Sequence, residues 1–251
     1  SEYALMINEG AINAGIAPKF SDPYSYGQGT NWQDEVFNNN APMMNHQVSV
    51  SGASEKVNYL FSLGFYTQDG IVGGNFDRSN YERLTLRSNT QYTLFDESKE
   101  RNWLNSLKVT SNLSYARIKS TNFDDNSTWG TPLGSALALS PILNVYDETE
   151  EAIKAQFDKY GTTAEYTPVY DPRNGKLFSI PGEFGEMSNP IAKLSLPGDK
   201  HWSHKFVANF SAELQLWDNL KFKTSYGADL SFWGYDGYRP LYYLRSGESS
   251  T

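Results

Sequence analysis

The chain of 251 residues contains no cysteine, which excludes disulfides, thiolate nucleophiles and cysteine-ligated zinc together. Histidine is scarce, with only His46, His201 and His204, so an imidazole-built site has little to draw on. Cationic side chains are outnumbered, 21 Lys and Arg against 29 Asp and Glu, and the formal charge of -8 excludes a phosphate-backbone partner such as nucleic acid. Long apolar runs are missing too. A membrane-spanning helix needs about 18 consecutive apolar residues, and none occurs. That absence does not extend to a strand-built membrane protein, in which only every second residue is apolar and window averaging cancels the signal.

What is present is aromatic. Phe, Tyr and Trp make up 15% of the chain, with 17 Tyr and 14 Phe, although only 39% is hydrophobic and the mean hydropathy is -0.57. Rings that carry a polar tip suit a protein whose interfaces are wet. The opening "SEYALMINEGAINAG" carries neither a start methionine nor a charged-then-apolar leader, and reads as an interior portion of a longer polypeptide.

Spacing of Ala4, Leu5, Ala11 and Ile12 predicts a short helix within 3–15, ended by Gly15 and Pro18. Residues 16–43 read as loop with one helical turn at "NWQDEVF". From residue 44 the period becomes two. Four strands are predicted between 44 and 118, and a hairpin over 204–233 whose turn is Asp218-Asn219, two residues that tolerate positive φ. The interval 119–203 breaks the rhythm, holds seven of the 11 prolines, and contains one expected helix, "DETEEAIKAQFDKYG", with its acids at the N-terminal end and Gly161 to close it. Residues 234–251 begin a further loop.

Each predicted strand has one apolar row. The rows comprise Tyr59, Phe61, Leu63 and Phe65; Leu84, Leu86 and Tyr92; Leu107, Val109, Leu113 and Tyr115; Phe206, Phe210 and Leu214; and Phe222, Tyr226 and Leu230. The opposite rows are mostly Ser, Thr, Asn and Gln. Two soluble sheets packed on each other would give the same period, so period alone leaves a secreted all-β binding or adhesion module open. Three features favour lipid as the apolar contact. Segments such as 204–217 exceed the roughly five or six residues of globular strands. The polar rows are only lightly charged, as a water-filled lumen accepts. Aromatic residues also gather near strand ends on the apolar side, where the reading places Phe95, Trp103, Trp217, Phe232 and Trp233. Connections run short, long, short, very long, short, which puts tight turns at one end and extended loops at the other, as in outer-membrane barrels. The fold class expected is therefore all-β, an antiparallel transmembrane β-barrel segment of about six strands from a larger barrel, because open edges in hydrocarbon leave backbone groups unpaired at several kcal/mol each.

The stretches "TNWQDEVF" (30–37), "APMMNHQVSVSGASEKVNYLFSLGFYTQDGIV" (41–72), "FDRSNYERLTLRSN" (76–89) and "SPILNVYD" (140–147) resemble the barrel of SusC/RagA-type TonB-dependent outer-membrane transporters. The resemblance implies a barrel of about 22 strands, plugged, energised through TonB, and importing oligosaccharides or peptides with a SusD-like surface lipoprotein. It implies the outer membrane of a Gram-negative cell and no enzymatic activity. Signal peptide, TonB box and plug have no counterpart in these residues, so TonB would be reached through other regions. A siderophore-type TonB-dependent receptor stays open beside it.

No catalytic constellation is present. His201 and His204 flank Trp202 at a strand entrance and could reach one metal only in turn or helical geometry. "NFDDNSTW" (122–129) clusters oxygen ligands of the kind that hold calcium, without the spaced acids of an EF-hand, and a solvated loop is the plainer reading. Gly70, Gly73 and Gly74 lack the lysine and helix of a phosphate loop. Trp129, Trp233, Tyr235 and Tyr238, in or beside the long loops, are the candidate contacts for a sugar ring or for the lipoprotein partner.

Overall fold

The structure is a computed structural model that describes residues 1–96, 103–123, 130–147, 149–152, 154–155, 168–181 and 187–238. Six long strands form one antiparallel sheet: β1 (Met43–Ala53), β2 (Val57–Asp69), β3 (Asn80–Phe95), β4 (Ser106–Asn122), β7 (Asp199–Trp217) and β8 (Leu220–Asp236), paired in that order. All pair as sequence neighbours apart from β4 and β7, which the longest connection joins. β2, β4, β7 and β8 run further than predicted at the long-loop end, β7 to 19 residues, while β3 spans 80–95 as predicted. The reason is that alternation stops where the apolar band stops, while backbone pairing continues into polar sequence such as Asp199 to Ser203.

Two local expectations need correction. The connection between β3 and β4, residues 96–105, is as long as the one between β2 and β3, residues 70–79, so the short-long alternation is clean only for β1–β2, β4–β7 and β7–β8. At Asp218-Asn219 the hairpin turn forms, but neither residue takes positive φ. A register shift at Gln215/Trp217 absorbs the twist instead, and the buried Gln215 amide donates to the carbonyls of Trp217 (2.6 Å) and Asp218 (3.0 Å).

Among the described residues, none of the six strands contributes a buried apolar side chain; the buried cluster lies in the connections at the long-loop end. Three short helices, α2 (Trp32–Val36), α3 (Pro132–Ala138) and α4 (Pro190–Ser195), supply it with the two-residue ladder β5 (Tyr146–Asp147) and β6 (Leu177–Phe178), while α1 (Glu2–Asn13) and a 3-10 turn (Pro23–Tyr26) lie outside it. Of the helix expected over 147–161, Asp147 pairs in β5 instead and Thr149 is not helical, residues 150–152 and 154–155 are helical, and 148, 153 and 156–161 lie outside the described residues. Trp32, Val36, Leu139, Val145, Phe178, Ile191 and Leu194 pack together, so segments that read as aperiodic loop form a small apolar cap. They hide from sequence patterning because each gives only one or two side chains per turn.

Polar groups tie the cap. The Trp32 indole donates to the Ser140 carbonyl (3.1 Å). Asn189, fully buried, accepts from the amides of Ile191 and Ala192 as the N-cap of α4 and donates to the carbonyls of Val145 (2.8 Å) and Ser179 (3.1 Å). Arg78 closes the other end of α4, donating from Nε to Leu194 O (2.7 Å) and from Nη2 to Ser195 O (2.9 Å). Gly74 takes φ 58° where a Cβ would meet Leu194 Cδ1 at 3.2 Å, so the 70–79 connection can press its backbone on α4.

Candidate functional site: two faces of one wall

Register decides which residues share a face. Cross-strand partners run Val48–Leu63–Leu86–Tyr115–Phe206–Leu230 in one row and Val50–Phe61–Ser88–Leu113–Ala208–Ala228 in the next. Continuing the same parity brings together all of the predicted apolar-row residues: Tyr59, Phe61, Leu63, Phe65, Leu84, Leu86, Tyr92, Leu107, Val109, Leu113, Tyr115, Phe206, Phe210, Leu214, Phe222, Tyr226 and Leu230. Among the described residues no second sheet covers them. Phe61 is 50% exposed, Leu86 44% and Phe210 45%, values that a sandwich core would hold near zero. Near two strand ends an aromatic ring lies over a glycine of the adjacent strand: Tyr59 over Gly52, and Trp202 over Gly234, where a Cβ would sit 2.7 Å from Trp202 Cζ2.

The opposite face is polar. Gln47, Ser49 and Ser62 form a hydrogen-bonded side-chain chain, Asn112 faces Asn209, Ser211 faces Ser225, and Lys205 pairs with Asp229 at 3.3 Å. Towards the long-loop end this face becomes aromatic. Tyr66 and Tyr81 meet edge to face at 5.9 Å, and the Arg83 guanidinium stands 5.6 Å from the Tyr66 ring. Tyr235 faces His201 with ring centroids 6.0 Å apart, and Trp233, two residues back on β8, is 78% exposed. From β2 to β8 these rings spread over four strand spacings, about 19 Å.

Placement of the predicted contacts is mixed. Trp233 and Tyr235 share the polar face; Tyr238 follows the end of β8 and is exposed; Trp129 lies outside the described residues, as does residue 124–129 of the calcium-like run. Counting Trp233 with the apolar row alongside Phe232 was wrong, because adjacent strand residues point to opposite faces and only Phe232 shares the face of Phe206. His201 and His204 are separated in the same way: His201 sits opposite Tyr235 on the polar face and His204 opposite Phe232 on the apolar one, so they cannot close on one ion. Among the described residues no group of three metal-ligating side chains forms.

The most strongly bonded charges lie in the cap. Asp171 is fully buried; both its oxygens accept from Arg173 (Nε 3.0 and 3.2 Å, Nη2 2.7 Å), and Oδ2 accepts from the Tyr146 hydroxyl at 2.7 Å. Burial alone would raise its pKa, but the Arg173 hydrogen bonds, that of the Tyr146 hydroxyl and the Arg173 charge together outweigh it and hold the carboxyl at about 2. Arg173 is raised by the same hydrogen bonding, and Tyr146 is raised by burial and by its bond to Asp171. Arg173 also donates to Gly74 O (2.9 Å) and lies 3.9 Å over the Phe76 ring. Arg173, oriented by Asp171, thus clasps the 168–181 segment to the 70–79 connection. Sequence reasoning missed it; the signal was "DPRNGK", a turn with Asp and Arg two apart and Gly175 at φ 70°.

The sheet thus has one apolar face and one polar face, with packed connections at its long-loop end. The chain is 32% identical over 211 residues to the TonB-dependent receptor P26 of Formosa agariphila, covering 84% of this chain and 17% of that protein. Against the TonB-dependent receptor SusC of Bacteroides thetaiotaomicron it is 28% identical over 193 residues, 74% of this chain and 16% of the relative. The chain is similar to a segment of the SusC-type TonB-dependent receptors. It spans about a sixth of the length of these curated relatives. In fold it matches a chain of the RagAB peptide transporter with TM-score 0.53 at 21% identity, over 82% of this chain and 19% of that one. No protein-family model matches. The open sheet is accordingly a segment of an antiparallel barrel wall, with β1 and β8 at its two free edges.

Proposed function

We propose that the chain supplies wall and outer loops to an importer in a Gram-negative outer membrane, driven through TonB by regions outside these residues. Its apolar face meets acyl chains and its polar face lines the wet passage. The observation that carries this is the uncovered apolar face spanning all six strands, continuous in register and opposed to a face of hydroxyls and amides. In water such a face would be an aggregation surface; in a bilayer it is the ordinary solvent-matched side.

The cargo is an oligosaccharide or a peptide, and a SusD-like lipoprotein covers the cap end. Flat rings beside hydroxyls and a cation, as at Trp233, Tyr235, Tyr66 and Arg83, suit stacking on sugar rings or peptide side chains. Kinship to SusC and likeness to the RagAB peptide transporter support this cargo over a siderophore. The test uses the intact receptor in its native host. It should remain with outer-membrane fractions after carbonate washing, and Trp233→Ala with Tyr235→Ala should raise the KM for uptake several-fold without lowering receptor abundance. Release by carbonate sinks the membrane reading. Unchanged KM removes the two rings from the passage.

A further inference from the structure

The apolar face ends in cations at its cap side. Arg117 and Lys119 stand on β4 with the same parity as Leu113 and Tyr115, and from Leu107 to Arg117 a strand rising ~3.3 Å per residue at ~40° tilt climbs about 25 Å, the height of a barrel's apolar band. Across the ladders Arg117 faces Leu84 and His204, with no carboxylate on either side. Lys119 faces Glu82 and Trp202, and Lys200, further out, faces Asp236 and Thr121. Among the described residues neither Arg117 nor Lys119 makes an ion pair. The Tyr115 hydroxyl bonds His204 Nδ1 at 2.8 Å, which leaves His204 Nε2 for another partner, and the Trp202 ring packs edge-on to that imidazole at 5.6 Å. Directly below this donor group, towards the short turns, the face carries a hollow of about 490 Å³ walled by Phe61, Leu63, Leu86, Leu113, Tyr115 and Phe206 and floored at Ser88 and Ala208.

We infer that this face holds one anionic lipid of the outer leaflet, its phosphate on Arg117, Lys119 and the His204 edge and an acyl chain in the hollow beneath. The inference rests on the membrane reading above. A guanidinium at the edge of hydrocarbon is costly without a counter-ion, and the protein offers it none across the ladder. A phosphate matches a guanidinium in bidentate geometry, and a lipid is the phosphate carrier that also fills an apolar hollow. Arg117 is the cation of this group with no acid across the ladder, since Lys119 and Lys200 face Glu82 and Asp236 while Arg117 faces Leu84 and His204.

The test takes the intact receptor in phosphatidylcholine nanodiscs doped with lipid A or with dephosphorylated lipid A, and measures bound lipid by native mass spectrometry. Wild type should retain the phosphorylated form about tenfold better, the change expected for a charge-assisted hydrogen-bonded pair. Arg117→Gln with Lys119→Gln should abolish that preference, Arg117→Lys should keep part of it, and Ala208→Trp, which fills the hollow, should lower retention with the cations intact. Equal retention of both lipids by wild type refutes the inference while the outer-membrane location stands. Displacement of lipid A by inorganic phosphate at equal concentration refutes it as well, by showing that the acyl chain adds nothing. Failure of the receptor to enter nanodiscs at all overturns the membrane reading instead.

Discussion

Replacing Asp171 by Asn keeps the shape of the cap and removes the charge at its clasp. In the native cap the carboxylate accepts from Arg173 Nε, Nη2 and backbone amide and from the Tyr146 hydroxyl. Its pKa falls from 3.8 to about 2, which corresponds to about 2 kcal/mol of coupling between the charge and the folded cap. The sign follows from the direction. A carboxyl held below its unfolded value stabilises the fold fully above pH 3.8, and the contribution is lost as pH falls through about 2. At neutral pH, Asp171→Asn should therefore favour opening of 168–181 by about 30-fold. Hydrogen exchange of the amides of Arg173, Gly175 and Phe178, which bond Asp171 and Val169, reads that opening in the intact receptor. Pepsin should cut this segment more slowly in wild type than in the variant at pH 4, and the two proteins should approach the same rate at pH 2. Exchange in Asp171→Asn within threefold of wild type would show that the ion pair is incidental and that the apolar cluster alone holds the cap.

Three further outcomes follow from the same geometry. Asn189→Ala removes the α4 cap and leaves the Val145 and Ser179 carbonyls buried without their amide donor, so the cap should lose about 2–4 kcal/mol, measured as faster exchange at Ile191 and Ala192. Phe210→Arg puts a cation on the apolar face mid-strand and should destabilise barrel folding into vesicles by about 2–4 kcal/mol, whereas Asn209→Arg, one residue away on the polar face, should cost well under 1 kcal/mol. Equal effects would mean the faces are assigned wrongly. Gly234→Val should lift the Trp202 indole off β8 and change its fluorescence, with no change at Trp233 on the other face.

Alternation alone located all six strands and sorted their rows, because a period of two survives any tertiary arrangement in which one face is dry. It determined that Phe61, Leu86, Phe210 and Leu230 lie together, and family resemblance of residues 41–89 assigned the type of wall. It could not say whether that dry face met lipid or a second sheet, since both give the same pattern; the open sheet and its exposed rows decided that no second sheet among the described residues covers it. A parity error arose at the end of β8, where Phe232 and Trp233 are adjacent rings of which only Phe232 continues the apolar row of Leu230. The cap was invisible for a different reason. Its contacts join Trp32 to Ser140, Gly74 to Leu194 and Asp171 to Tyr146, groups separated by long intervals of chain, and no local spacing encodes a meeting that only the folded backbone brings about.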